Sequence, residues 1–188
     1  MLPQLFRGEN GLMDFGVARE NMIDCQLRTN KVTDERILKA MASLPRERFV
    51  PREREDMAYV DIDIPCGQGR CLMSAMVSAR LIQEAGLQRG DEVLCIAAGT
   101  GYSVAVMSGI ASSVIALESN QECAGKAGEL FSELNLDNAV VVEHVQRMVA
   151  REAGTRQKIE RTAAALRDID AGRSRTRPQI ALQHAMAR

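Results

Sequence analysis

Short apolar runs alternate with amphipathic stretches through the middle of the chain. Three of these runs, Glu92–Ala97, Val114–Glu118 and Ala139–Glu143, lack regular polar alternation, which is typical of parallel strands covered on both faces. The segments between them, Ser103–Ala111 and Gln121–Leu134, place apolar residues at helical spacing. Strands that alternate with helices predict an α/β fold with a doubly wound parallel sheet and right-handed crossovers.

The part of the chain before the first strand has a mainly helical pattern. We predict three helices there: Ala18–Leu27, Asp34–Ser43 and Ala75–Ala85. Thr33 and Ser74 precede the second and third helices and are predicted N-caps, because a side-chain oxygen there can accept a hydrogen bond from a free N–H of the first turn. The stretch Asp61–Gly69 is rich in acids and glycines and predicts a loop.

The turn after the first strand is the strongest candidate for a ligand site. Gly99 and Gly101 stand between that strand and the next helix, where a nucleotide-like cofactor can approach the backbone and the helix N-terminus. Glu118 ends the second strand nineteen residues after Gly99, and an acid at this spacing can accept hydrogen bonds from ribose hydroxyls. A nicotinamide cofactor is less favoured because Val104 stands where a third glycine or an alanine is expected. The alternative is a tight strand-to-helix turn without a ligand.

The regular pattern stops after Glu143. Residues 144–188 hold ten of the 24 basic residues and four of the 25 acidic ones, so the first 143 residues hold fourteen and twenty-one. Gln157–Asp170 has some helical spacing, and the chain from Gly172 onward predicts a disordered basic tail. We interpret residues 144–188 as the product of a truncation or frame shift; a genuine helical extension is the alternative. Met13–Phe15 is typical of a natural start, so we interpret residues 1–12 as a leader that precedes the domain.

Composition narrows the class of protein. The chain has 188 residues, of which 46% are hydrophobic and 26% charged, as expected for one globular domain in the cytoplasm. No apolar stretch approaches a membrane span. Five cysteines without a C-x-x-C pair predict reduced thiols, and two histidines, His144 and His184, give no support to a metal site.

Several motifs in order resemble the protein-L-isoaspartate O-methyltransferases, which are class I S-adenosylmethionine-dependent enzymes. The resemblance runs from about Met13 to Glu143. Its motifs are Pro45–Pro51, Ala58–Tyr59, Asp61–Gly69, Gly90–Leu94 and Gly99–Tyr102. It implies a Rossmann-like methyltransferase fold of which three strands are present, with an N-terminal helical cap and loop over residues 13–88 and a cofactor-binding half over residues 89–143. It also implies protein carboxyl methyl transfer, as in protein repair.

The resemblance also assigns the cofactor site, with two departures from the family. Gly99 and Gly101 would line the methionine and ribose portions of S-adenosylmethionine, and Glu118 would hold the ribose hydroxyls. The family usually has an acid where Cys95 stands and a glycine where Ala97 stands. The first change removes a partner for the cofactor's ammonium group, and the second adds a methyl group at the closest backbone approach. Weaker cofactor binding is therefore expected.

The acceptor side of the site departs further from the family. The family's Thr-Ile-Ser-Gln-Pro segment is replaced here by Cys71–Ala75. Met73 stands where the family's hydroxyl would meet the substrate carboxylate, and we favour an N-cap over a catalytic role for Ser74. The expected partner is a protein or peptide carboxylate, and no catalytic residue is assigned. The alternatives are a non-enzymatic adenosylmethionine-binding or interaction module and a degenerate methyltransferase.

Other contacts are also predicted from charge and from the missing strands. Arginines at 46, 48, 52 and 54 predict a solvated face, with carboxylate binding as the minority interpretation. Those at 173, 175 and 177 are a weak signal for nucleic acid, and an inert tail is favoured. With three strands only, Glu92–Ala97 would be an unpaired edge, which predicts self-association.

Overall fold

The computed structural model describes residues 13–67, 69–143 and 180–182. The predicted leader, the helical spacing at Gln157–Asp170, the two histidines and the three tail arginines lie outside these ranges. Within them, no helix is long and apolar enough to cross a membrane.

Two helices and several short helical turns form the N-terminal layer. Helix α1 spans Phe15–Asn21 and continues as a π-helical segment, Met22–Leu27, and a 3₁₀ turn, Arg28–Asn30. The helix predicted at Ala18 thus begins three residues earlier, because Asp14 caps it by accepting from the Val17 N–H at 3.1 Å. The layer continues with helix α2, Glu35–Ser43, and the 3₁₀ turns Arg46–Phe49 and Arg52–Met57.

The N-cap of α2 is Asp34, so the prediction of Thr33 was wrong. The Asp34 carboxylate accepts from the Arg36 backbone N–H at 2.9 Å. The Thr33 backbone N–H donates instead to the side-chain oxygen of Gln83 at 2.7 Å. This contact joins the residue before the N-cap of α2 to a helix more than forty residues further along the chain. The local sequence around Thr33 therefore could not predict it.

The segment predicted as a loop at 61–69 contains part of a β-hairpin. Strand β1, Ile64–Gly67, pairs antiparallel with strand β2, Arg70–Leu72. Burial of Ile64 and Leu72, which are opposite each other in the register, joins this hairpin to the core. Helix α3, Ala75–Ala85, follows as predicted, and its N-cap is Ser74, whose hydroxyl accepts from the Val77 N–H at 3.4 Å.

The central sheet is parallel, in the strand order β5–β4–β3–β6. Strands β3 (Glu92–Ile96), β4 (Ser113–Glu118) and β5 (Ala139–Glu143) confirm the three predicted runs to within one residue at each end. Helices α4 (Tyr102–Ser108) and α5 (Gln121–Glu133) connect them. Every residue of β4 is buried, which explains its apolar sequence. The α/β prediction is confirmed.

A fourth strand corrects three predictions. Strand β6, Ile180–Leu182, pairs parallel with Leu94–Ile96 of β3. Within the described part of the chain, the sheet therefore has four strands rather than three, and β3 is not the open edge from which self-association was predicted. The prediction of a disordered tail was also wrong at these three residues. Strand β6 was missed because three consecutive apolar residues in an arginine-rich stretch are too few to indicate a strand.

Candidate functional site

The turn between β3 and α4 has an unusual backbone. Ala97, Gly99 and Gly101 all have positive φ angles, of 58°, 58° and 87°. Glycine adopts this left-handed region freely, whereas a residue with a Cβ atom is strained there. Ala97 is therefore a strained residue at the very position where the resemblance expects glycine. The Ala98 N–H donates to the Leu117 carbonyl at 3.1 Å and ties the turn to β4.

Glu118 meets this turn from the carboxyl end of β4. Its oxygen Oε2 accepts from the Gly99 backbone N–H at 2.7 Å, and its Oε1 accepts from the Asn120 N–H at 2.8 Å. The residue is 1% exposed. The structure thus brings together Gly99 and Glu118, the two residues singled out from the spacing of the strands.

A third residue, Arg70, also contacts this carboxylate, and the local sequence pattern does not predict the contact. Nη2 of Arg70, on β2, donates to Glu118 Oε1 at 2.9 Å and to the Ser119 hydroxyl at 3.1 Å. Burial by itself would raise the pKa of Glu118. Hydrogen bonds from the backbone of Asn120 and Gly99, and then from Arg70, outweigh it, so the pKa of this carboxyl is lowered from its ordinary value.

The two glycines of the turn differ in what surrounds them. A Cβ atom built on Gly99 would meet nothing within 4 Å. One built on Gly101 would lie 2.9 Å from the ring of Phe131 and 3.0 Å from the Cβ of Ala127, both on α5. Gly99 therefore faces open space, whereas helix packing accounts for the missing side chain at Gly101. The assignment of Gly101 to a cofactor remains a prediction.

Cys95 lies in the centre of the sheet and is a neutral residue. Its side chain is fully buried, opposite Ala116 of β4 in the register. Burial, with a smaller contribution from the charge of Glu118, raises the pKa of the thiol to about 12. A thiol with this pKa carries no charge near neutral pH and cannot form an ion pair with an ammonium group.

The segment Cys71–Ala75, which the resemblance assigns to the acceptor side of the site, adjoins a buried arginine, Arg46. Met73 is half-buried, and its carbonyl accepts from Nη2 of Arg46 at 2.6 Å. Arg46 also donates to the Ala58 carbonyl at 2.7 Å and lies 4.6 Å from the centre of the Tyr102 ring. It is fully buried, so the prediction of a solvated face was wrong at this position. Carbonyl oxygens and a ring face replace water around the charge.

Two cavities adjoin α5, and one of them reaches the glycine turn. One of about 230 Å³ opens beside Thr100, between the cap residues Phe49–Arg52 and the first turns of α5, and Cys66 and Cys123 also line it. Another, of about 570 Å³, lies between α5 and β5 and contacts none of the predicted cofactor residues. The smaller cavity adjoins the Gly99–Gly101 turn. Within the residues described above, no group of three or more His, Cys, Asp or Glu side chains could hold a metal ion.

The parallel sheet and its glycine turn define a Rossmann-like methyltransferase fold, and solved structures agree. A protein-L-isoaspartate O-methyltransferase matches with a TM-score of 0.58 and 27% identity, over 66% of this chain and 41% of that one. A putative enzyme of the same name from Plasmodium falciparum, solved in complex with S-adenosyl-L-homocysteine, matches with a TM-score of 0.58 over 79% of this chain and 70% of that one. Its 14% identity supports the fold alone.

The sequence comparison gives the family. The profile of the protein-L-isoaspartate(D-aspartate) O-methyltransferase family matches residues 18–167, which extends past Glu143. A relative from Roseiflexus castenholzii is 38% identical over 129 residues, covering 69% of this chain and 59% of its own length. One from Anaeromyxobacter is 35% identical over 120 residues, covering 64% and 49%. This chain belongs to the protein-L-isoaspartate(D-aspartate) O-methyltransferase family and spans about half to three-fifths of the length of these relatives.

Proposed function

We propose that this chain binds S-adenosylmethionine, and its product S-adenosylhomocysteine, at the carboxyl ends of β3 and β4. In this proposal it is a protein carboxyl methyltransferase of the L-isoaspartyl type. One observation carries the proposal: the Gly99 N–H and the Glu118 carboxylate are joined at 2.7 Å. This contact places an acid of lowered pKa beside the open face of the glycine turn.

The residues of the turn fit the nucleoside half of the cofactor. Gly99 leaves room for a ligand against the backbone, and a carboxylate such as Glu118 is the usual acceptor for ribose hydroxyls in this type of fold. The fit is poorer at the amino-acid half, because Cys95 is neutral and Ala97 has a methyl group. The nucleoside half would therefore supply most of the affinity.

In methyl transfer the main contribution of the protein is to orient the cofactor and the acceptor carboxylate. When bound, the cofactor supplies a methyl group on a positively charged sulfur, ready for transfer to a carboxylate oxygen. The chain's own residues would hold and orient the nucleoside through Glu118. Met73 offers no hydroxyl to the acceptor carboxylate, so slow transfer is expected.

A second candidate function is cofactor binding without methyl transfer. One observation favours it: Met73 stands where the family has a hydroxyl residue to meet the substrate carboxylate. A protein of this kind would bind the cofactor and contact other proteins. The absence of any binding would instead support a degenerate methyltransferase.

Two measurements on the purified chain separate these functions. The first is calorimetric titration with S-adenosylhomocysteine. The second is transfer of a labelled methyl group from S-adenosylmethionine to an isoaspartyl peptide, with the matched aspartyl peptide as the control substrate. Binding with transfer to the isoaspartyl peptide alone supports the methyltransferase, and binding without transfer supports the second candidate. No binding contradicts both.

We infer a cytoplasmic location. The five cysteines are all free thiols, as is usual in that reducing compartment.

A further inference from the structure

Arg70 covers the carboxylate that the proposed function assigns to the ribose. The Glu118 side chain has no exposed surface, whereas that of Arg70 is 21% exposed. A ligand hydroxyl that approaches Glu118 from solvent must therefore displace a neighbouring group.

The backbone groups around Glu118 cannot move aside easily. Two of its hydrogen bonds come from the backbone N–H groups of Gly99 and Asn120, which are held by the ends of β3 and β4. Of the two side-chain donors, the Ser119 hydroxyl makes the longer bond to Oε1, at 3.5 Å, and Arg70 the shorter one, at 2.9 Å. Arg70 reaches Glu118 with a long side chain from the β1–β2 hairpin, so it can leave by rotation alone.

The contact of Arg70 with Glu118 is also incomplete. Only Nη2 bonds to the carboxylate, so the pair lacks the parallel two-nitrogen geometry that makes such pairs strong. Nε of Arg70 is buried without a hydrogen-bond partner among the residues the structure describes. The seated arginine therefore leaves a polar atom unsatisfied, which lowers the cost of moving it.

We propose that Arg70 is an internal competitor of the cofactor's ribose for Glu118 and thereby a determinant of this chain's cofactor affinity. This inference rests on the proposed function, because it takes Glu118 as the ribose acceptor. Arg70 acts through Glu118 and is a positioning residue. Loss of the guanidinium leaves Glu118 ready for ligand hydroxyls, but it also leaves a buried charge with one partner fewer. Ligand affinity and the stability of the unliganded protein should then change in opposite directions.

The test compares Arg70→Gln and Arg70→Lys with the parent chain in two measurements. These are the dissociation constant for S-adenosylhomocysteine and the melting temperature without ligand. Arg80→Gln is the matched control, because Arg80 forms an exposed ion pair with Glu84 at 3.3 Å on α3. We expect Arg70→Gln to melt at a lower temperature than the parent yet to bind about tenfold more tightly, the effect of one hydrogen bond to a charged group. Arg70→Lys should lie between the two, and Arg80→Gln should bind as the parent does.

The other outcomes overturn the proposal in distinguishable ways. If the parent binds and Arg70→Gln binds equally or more weakly, Arg70 is a structural or ligand-contacting residue and the proposed function stands. If neither the parent nor Arg70→Gln binds, the proposed function fails and this inference fails with it.

Discussion

The backbone N–H of Gly99 donates a hydrogen bond of 2.7 Å to Oε2 of Glu118. This contact joins the turn after β3 to the end of β4 and fixes a buried carboxylate at the carboxyl edge of the sheet. Burial alone favours a neutral acid, but the hydrogen bonds around Glu118 favour the charged form and lower its pKa.

Glu118 should make the stability of the fold depend on pH. Because its pKa is lowered in the folded state, its charged form contributes stability above the ordinary carboxyl pKa, and this contribution is lost as pH falls through the folded value. Glu118→Gln should lower the free energy of unfolding by about 1–3 kcal/mol near neutral pH, the cost of an unsatisfied buried group. Urea unfolding at several pH values should show the difference shrinking in acid. A difference that grows toward low pH would contradict the assignment.

Ala97→Gly should stabilise the protein. Ala97 has a φ of 58°, and a residue with a Cβ atom is strained there by roughly 1–2 kcal/mol, against about 0.5–1 kcal/mol of extra chain entropy for glycine. A net gain of up to about 1.5 kcal/mol in the free energy of unfolding is expected. Ala98→Gly is the matched control, since Ala98 is buried and has no positive φ, and it should destabilise. Equal destabilisation by both changes would show that Ala97 is not strained.

Gly101→Ala should cost more stability than Gly99→Ala. Both positions have positive φ, which costs an alanine roughly 1–2 kcal/mol. At Gly101 the added methyl also meets Phe131 and Ala127, and overpacking adds about 1–3 kcal/mol. Chemical denaturation of both variants measures the difference. Equal losses would mean that α5 moves aside without cost, and helix packing would then not explain the glycine.

Because the Cys95 thiol is neutral, the amino-acid half of the cofactor should contribute little to the binding affinity. We expect 5′-methylthioadenosine, which lacks the amino-acid group, to bind within a few-fold of S-adenosylhomocysteine, since no charge-assisted bond of about 1.5–3 kcal/mol is made there. Cys95→Asp combined with Ala97→Gly should favour S-adenosylhomocysteine, although a carboxylate at this fully buried position will lower stability. Competition titrations give both constants. A large preference for S-adenosylhomocysteine in the parent would show that another residue holds the ammonium group.

Much of the sheet could be predicted because its signals are local. The strands β3, β4 and β5 are apolar runs bounded by turn residues, and Gly99 and Glu118 stand at their ends. Their proximity follows from the parallel topology, which brings the carboxyl ends of neighbouring strands to one edge.

The missed features depend on contacts between distant segments. Arg70 reaches Glu118 across 48 positions, and Arg46 reaches the Met73 carbonyl across 27. An arginine among acids has the same sequence pattern whether it is solvated or buried against carbonyl groups. The strands β1, β2 and β6 have only three or four residues each, too few for periodicity to mark them. The strain at Ala97 shows only in its backbone angle.

The most direct test of Glu118 as a cofactor-binding residue is calorimetric titration with S-adenosylhomocysteine, in which Glu118→Gln is compared with the parent chain. Glu84→Gln, which removes an exposed acid from α3, is the matched control. Circular dichroism at neutral pH checks that all three proteins are folded. We expect the parent and Glu84→Gln to bind alike and Glu118→Gln to bind roughly ten- to a hundredfold more weakly, the equivalent of about 1.5–3 kcal/mol. A folded Glu118→Gln variant that binds as tightly as the parent would contradict the assignment of the site.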